Sequence, residues 1–289
     1  MSFTTLIDVD SLAALTSPAV LLDCRFDLSD PDAGRRAYAA GHIPGARYAD
    51  LDRDLSSPAT SASGRHPLPA PDVLAGFFTA AGIGDQTQVI AYDDANGSFA
   101  ARAWWLLRWL GHDSVAVLDG GFKAWVAAGG AAGGAPPESG EPAPAPGGAN
   151  PPFTVRLRPE SSLTAGDVQR ALEDSRRLLV DARAAERFAG TVEPLDRVAG
   201  HVPGAVNHPF TANLGEDGRF LAVGELRRRW LTRLGGREPS DAILMCGSGV
   251  TACHNVLAMT AAGLPGGKLY AGSWSEWIRD PERPVARGS

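Results

Sequence analysis

The strongest constraint on this chain is that its landmarks occur twice. Gly41-His-Ile-Pro-Gly-Ala46 returns as Gly200-His-Val-Pro-Gly-Ala205. Ahead of each lies an apolar run closing on an acid and an arginine, Val20-Leu-Leu-Asp-Cys-Arg25 and Leu178-Leu-Val-Asp-Ala-Arg183. Further on, Gln88–Tyr92 matches Ala242–Cys246, and Gly120-Gly-Phe-Lys-Ala-Trp125 matches Gly272-Ser-Trp-Ser-Glu-Trp277. Four landmarks in one order, at offsets of 159, 158, 154 and 152 residues, describe a duplicated domain. A length of 289 residues suits two such units. Between them, Gly129 to Pro152 holds Gly-Gly-Ala-Ala-Gly-Gly and Glu-Pro-Ala-Pro-Ala-Pro, too poor in apolar side chains to build a core. The expected division is therefore a domain over 1–128, a linker over 129–152 and a second domain over 153–289.

Within each half, short apolar runs alternate with helical patterns, which predicts an α/β fold with an open parallel sheet and helices on both faces. Leu-Leu-Asp, Val-Ile-Ala-Tyr and Val-Ala-Val-Leu are too short for helices and too apolar for half-exposed strands, so they read as buried central strands. Ser98–Leu110 reads as a helix with Phe99, Ala103, Trp104, Leu107 and Leu110 on one stripe, capped by Asn96 or Ser98 and stopped by Gly111. Its counterpart runs from Thr251 to Ala262, before Gly263 and Pro265.

Composition narrows the function. Lys and Arg number 27 against 33 Asp and Glu, a net charge of −6, which argues against a nucleic-acid coat or a basic membrane-surface protein. No apolar stretch approaches the ~20 residues of a membrane span, and the first ten residues lack the pattern of a signal peptide. Three cysteines make no disulfide framework, so a reducing, cytoplasmic setting is expected.

One of those cysteines stands where chemistry is favoured. In Asp241-Ala-Ile-Leu-Met-Cys246-Gly-Ser-Gly-Val-Thr251, a buried strand ends at Cys246 and a helix begins at Thr251. Ligands gather at the carboxyl ends of strands in open α/β sheets. Gly247 and Gly249 let the backbone curl so that successive amides face inward, and the helix adds its positive end. All of this favours thiolate, the nucleophilic form, and equally a sulfur anion attached to it. Cys24 and Cys253 read as small buried hydrophobes instead. A Cys-dependent phosphatase also places its cysteine at such a turn, but needs an arginine six positions on, where this chain has Ala252.

With these motifs the chain resembles the tandem-rhodanese sulfurtransferases over both halves. The Gly-His-Ile/Val-Pro-Gly-Ala motifs, Gly-Ser-Trp-Ser-Glu-Trp and the Cys-Gly-Ser-Gly-Val-Thr loop carry the likeness. Thiosulfate-preferring members typically carry Arg-Lys after the cysteine. Gly247-Ser248 is similar to the loop of 3-mercaptopyruvate sulfurtransferases, whose monoanionic donor needs less positive charge. The resemblance implies two tandem rhodanese-like domains and transfer of sulfur through a Cys246 persulfide with release of pyruvate. Gly247, Gly249, Val250 and Thr251 would line the substrate loop. It implies Arg187 and Arg197 as substrate-binding arginines, whose planar forks suit a carboxylate. It also implies a relay of Asp52, His66 and Ser248 for the thiol proton, with Asp50 as the alternative acid.

The resemblance implies no metal or organic cofactor. The acceptor would be cyanide, a thiol or a thioredoxin-like protein. The rival readings are a thiosulfate:cyanide sulfurtransferase and a non-catalytic rhodanese-like binding module, against which the intact cysteine loop speaks. Alignment places Asp93 at the position of Cys246 in the first half, which should be catalytically silent because a carboxylate cannot hold a transferable sulfur. His42 and His201 occur in both halves and read as structural, and Arg227-Arg228-Arg229 reads as a solvated helix face.

Overall fold

The computed structural model describes residues 2–133 and 153–288. The first half forms strands β1 (Leu6–Ile7), β2 (Ala19–Asp23), β3 (Arg47–Tyr48), β4 (Gln88–Tyr92) and β5 (Val115–Leu118). Its helices are α1 (Val9–Ala13), α2 (Ala33–Ala40), α3 (Pro71–Ala80), α4 (Ala100–Trp109) and α5 (Gly121–Ala127). The second half repeats the set with β6 (Ser162–Leu163), β7 (Leu178–Asp181), β8 (Val206–Asn207), β9 (Ala242–Met245) and β10 (Lys268–Tyr270). Helices α6 (Ala165–Ala171), α7 (Ala185–Ala189), α8 (Val223–Leu234), α9 (Thr251–Ala261) and α10 (Ser273–Trp277) complete it. The strand orders are β1-β5-β4-β2-β3 and β6-β10-β9-β7-β8, the same permutation twice, with every pairing parallel.

Parallel sheets of this kind are buried on both faces, which is why their central strands read as unbroken apolar runs. In β4, Ile90 and Tyr92 share a core with Val9 and Leu12 of α1 and Ala124 of α5. The alternate residues Val89 and Ala91 point to the opposite face, and α4 packs on β4 and β5. Helix α4 is buried almost all round rather than along one stripe: even Arg102 is enclosed, its guanidinium donating to the Leu55 carbonyl at 3.4 Å.

Ladder register settles how the halves correspond. Asp23 lies opposite Tyr92, and Asp181 lies opposite Met245. Tyr92 thus corresponds to Met245 and Asp93 to Cys246, one residue from the strand match of Gln88–Tyr92 with Ala242–Cys246. The repeated motifs have one shared structural use. Arg25 grips Asp23 and donates to the Gly41 carbonyl at 2.7 Å; Arg183 does the same with Asp181 and the Gly200 carbonyl at 2.7 Å. Each strand end is thereby tied to its Gly-His-x-Pro-Gly loop by a buried guanidinium. His42 stacks on Tyr38 and His201 on Phe188, each with Nδ1 on that residue's own carbonyl.

Contacts divide the described chain into two units whose borders differ from the expected ones. Residues 58–68 belong with the second unit, and residues up to Arg158 with the first. Phe153 packs on Phe78, and the Arg156 and Arg158 amides donate to the Leu110 and Trp109 carbonyls. Of the expected linker, Gly129–Gly133 folds back on the first unit, where Gly133 bridges His42, while 134–152 lies outside the described residues. Among the described residues, no helix is long and apolar enough to cross a membrane.

Candidate functional site

Cys246 directly follows β9, the central strand of the second sheet, and precedes α9. Its surroundings fix the peptide planes. The Cys246 amide donates to Ser273 Oγ at 3.0 Å, and the Cys246 carbonyl accepts the Trp274 amide at 3.0 Å. The Gly247 carbonyl accepts the Ser275 amide at 2.9 Å. In a trans peptide the C=O and the next N–H point in opposite directions, so turning these two carbonyls toward α10 turns the Gly247 and Ser248 amides away from it. The Gly249 amide then donates to Cys246 Sγ at 3.1 Å. Gly249 adopts φ +80°, and a Cβ there would run into the Ala271 carbonyl oxygen, so glycine is required. Val250 is the N-cap residue of α9 and Thr251 its first residue, which puts the positive end of that helix at the loop. Cys246 itself is nearly enclosed, 2 % exposed.

Ser273 was not singled out by sequence. It holds φ +53° without being glycine and its hydroxyl bridges from the Cys246 amide to the Tyr270 carbonyl. A strained serine at this position is over-determined by those two hydrogen bonds.

Ser248 Oγ lies 2.7 Å from His66 Nδ1, with both side chains buried. His66 reaches this contact because residues 58–68 fold with the second unit. Gly64 lies so close to Gly272 that a Cβ would meet its carbonyl oxygen at 2.5 Å, and the Arg65 amide donates to Ser275 Oγ at 3.1 Å. Asp52 belongs to the first unit, where its amide donates to the Asp50 carboxylate at 3.0 Å. Burial and the neighbouring Asp50 push the Asp52 carboxyl above its usual range. Asp50 is occupied with the turn, also accepting from the Arg53 amide and pairing with Arg35.

Over the loop stand two guanidinium groups. A Cβ built on Gly247 would lie 2.8 Å from Arg65 Nη2 and 3.6 Å from Arg187 Nη1. Arg187 is oriented by Glu193 at 2.7 Å and Asp196 at 3.2 Å, and Asp196 also pairs with Arg65. Arg197 is held differently, donating to the Ile278 carbonyl just past α10 at 2.7 Å. Arg65, Glu193 and Asp196 thus join the site; the sequence marks them only by Arg65's place beside His66 and by the two acids lying between Arg187 and Arg197.

The other cysteines are placed for packing. Burial and the Asp23 and Asp93 carboxylates push the Cys24 thiol well up. The buried Cys253 thiol donates to the Gly249 carbonyl at 3.2 Å.

A family model described as the Rhodanese-like domain matches residues 8–128 and again 164–280. The chain is 51% identical to a probable 3-mercaptopyruvate sulfurtransferase of Pseudomonas aeruginosa over the whole length of both. It is 41% identical to a putative thiosulfate sulfurtransferase of Mycobacterium tuberculosis, covering 94% of this chain and 92% of that one. Among solved structures, a 3-mercaptopyruvate sulfurtransferase from Leishmania major superposes with a TM-score of 0.80 at 33% identity, over 96% of this chain and 76% of that one. The Escherichia coli 3-mercaptopyruvate enzyme superposes with a TM-score of 0.78 at 32% identity, over 95% and 100%. Two matched copies, a twice-used sheet permutation and full-length relatives agree: the chain belongs to the family of tandem rhodanese-like domain proteins.

Proposed function

We propose that this chain is an enzyme that moves sulfur from 3-mercaptopyruvate to a thiophilic acceptor through a persulfide on Cys246. The observation that carries the reading is the Gly249 amide aimed at Sγ from the end of a buried strand, at the positive end of α9. The Cys246 thiolate attacks the donor sulfur. An Sγ–S bond forms, the donor's C–S bond breaks, and its electron pair leaves with pyruvate as the enolate. The proton of the donor thiol has to reach the enolate carbon. His66 and Ser248 carry it, a role supported by their 2.7 Å contact. Arg187 and Arg197 hold the carboxylate and carbonyl, and the amides of Gly247, Gly249, Val250 and Thr251 steady the sulfur anion. Cyanide, a thiol or a thioredoxin-like protein in the cytoplasm then takes the outer sulfur and restores the thiolate. The first unit, with Asp93 in place of the cysteine, forms no persulfide.

The test is a comparison of kcat/KM for 3-mercaptopyruvate and thiosulfate with cyanide as acceptor. A clear preference for 3-mercaptopyruvate is expected, with pyruvate released in step with sulfur. A preference for thiosulfate would make the chain a thiosulfate:cyanide sulfurtransferase instead.

A further inference from the structure

The guanidinium of Arg65 occupies the space into which a side chain at position 247 would grow: its Nη2 stands 2.8 Å from the Cβ that Gly247 lacks. A positive charge that could have come from the loop itself therefore arrives from a segment 182 residues away in the chain. That segment is fastened in place by the Arg65 amide on Ser275 Oγ, by the close approach of Gly64 to Gly272, and by Arg279 donating to the Ser63 carbonyl at 3.3 Å.

The charges around it are finely matched. Arg183, Arg187 and Arg65 alternate with Asp181, Glu193 and Asp196, and the three acids are almost fully buried. Arg65 and Arg187 keep more exposure, 27 % and 17 % of the side chain, so they are the members that face an incoming ion. Removing Arg65 would subtract one positive charge beside the loop. It would also leave Asp196 with Arg187 as its remaining partner of this pair, drawing that guanidinium away from a donor. Burial pushes the Asp196 carboxyl up, and Arg65 is the largest influence holding it down.

We propose that Arg65 is a specificity-determining residue of the sulfur-transfer site, setting how well the site accepts a donor that carries a second negative charge. The proposal rests on the function inferred above. Coulomb energy is linear in the donor's charge. A dianion such as thiosulfate should therefore lose about twice the free energy that monoanionic 3-mercaptopyruvate loses when the charge goes, which makes its fold-change the square of the other. A purely structural defect would slow both donors alike.

The experiment measures kcat/KM for both donors, at constant ionic strength, in wild type, Arg65→Gln, Arg65→Lys, Asp196→Asn and the Arg65→Gln/Asp196→Asn pair. Arg65→Gln should lower 3-mercaptopyruvate use by about threefold to fivefold and thiosulfate use by about tenfold to twenty-fivefold, with Arg65→Lys close to wild type. Asp196→Asn, which adds a net positive charge, should shift the donor ratio the other way. The double variant should return it toward the wild-type ratio. Equal losses for both donors, no detectable thiosulfate use by wild type, or a ratio in Asp196→Asn that moves with Arg65→Gln would overturn the role of Arg65. Should Arg65→Gln fail to fold, Asp196→Asn and the double variant still decide. A wild-type protein that uses neither donor would instead refute the proposed function.

Discussion

The two halves build the same backbone cradle and fill it differently. Asp93 follows β4 as Cys246 follows β9, and the carbonyl of each accepts an amide from the start of the helix beyond the neighbouring strand, Phe122 of α5 at 2.8 Å and Trp274 of α10 at 3.0 Å. The residue before that amide has positive φ in both, +59° at Gly121 and +53° at Ser273. In the first half the cradle is full. Asp93 Oδ1 accepts the amides of Ala95 and Gly97, and Oδ2 those of Phe99 and Ala100, all at 2.8 to 2.9 Å. Burial still pushes this carboxyl above its usual range, against the downward pull of the four amides. In the second half the strand-end group is a sulfur that accepts the Gly249 amide. A loop of this design is an anion receptor. One copy has a carboxylate built into its own chain, and the other presents the sulfur of Cys246.

Cys246→Asp copies the first half into the second, and should abolish sulfur transfer, by at least about 1,000-fold in kcat, while leaving circular dichroism unchanged. Conversely, Asp93→Ala strips four amides, three of them buried, of their acceptor and should cost about 3 kcal/mol or more in urea unfolding. A cost under about 1 kcal/mol would mean that the first cradle does not need its anion.

Gly249→Ala tests the geometry at the sulfur. A Cβ at φ +80° facing the Ala271 carbonyl should cost about 2 kcal/mol and, by moving the amide from Sγ, lower kcat by about tenfold or more.

The smallest effect concerns the helices behind the loops. Helix α4 is anchored through Arg102, a permanent cation, whereas α9 rests on a buried cluster in which Asn213 joins His208, His254, Asn255 and Trp230. Burial lowers the His208 imidazole from 6.5 to about 4. Between those values the unfolded chain binds the extra proton, so this stabilisation is complete above about pH 6.5 and is lost as the pH falls toward 4. The loss is at most about 3 kcal/mol. His208→Asn should flatten that part of the pH–stability curve; an unchanged slope would place the acid sensitivity elsewhere.

Much of this was legible in the sequence because it is local. The duplicated landmarks, the buried strands and the cysteine at a strand end flanked by glycines depend on residues close together in the chain. The helix after β4 shows where local reading stops. Neither Asn96 nor Ser98 caps it: Asn96 takes φ +59°, Ser98 donates to the Ala95 carbonyl, and the first amides of α4 are satisfied by the carboxylate of Asp93, six and seven residues back. The guanidinium over Gly247 and the assignment of residues 58–68 to the second unit were hidden for a stronger reason. They depend on contacts such as Arg65 with Asp196, His66 with Ser248 and Arg65 with Ser275, separated by 131, 182 and 210 residues. No periodicity or turn signal encodes pairings at that range.

Whether Cys246 carries the travelling sulfur can be read by weighing the intact protein after incubation with 3-mercaptopyruvate. The wild-type protein should gain the mass of one sulfur atom, removed by cyanide and absent from Cys246→Ser. A wild-type mass that does not change, or a gain that persists in Cys246→Ser, would contradict it.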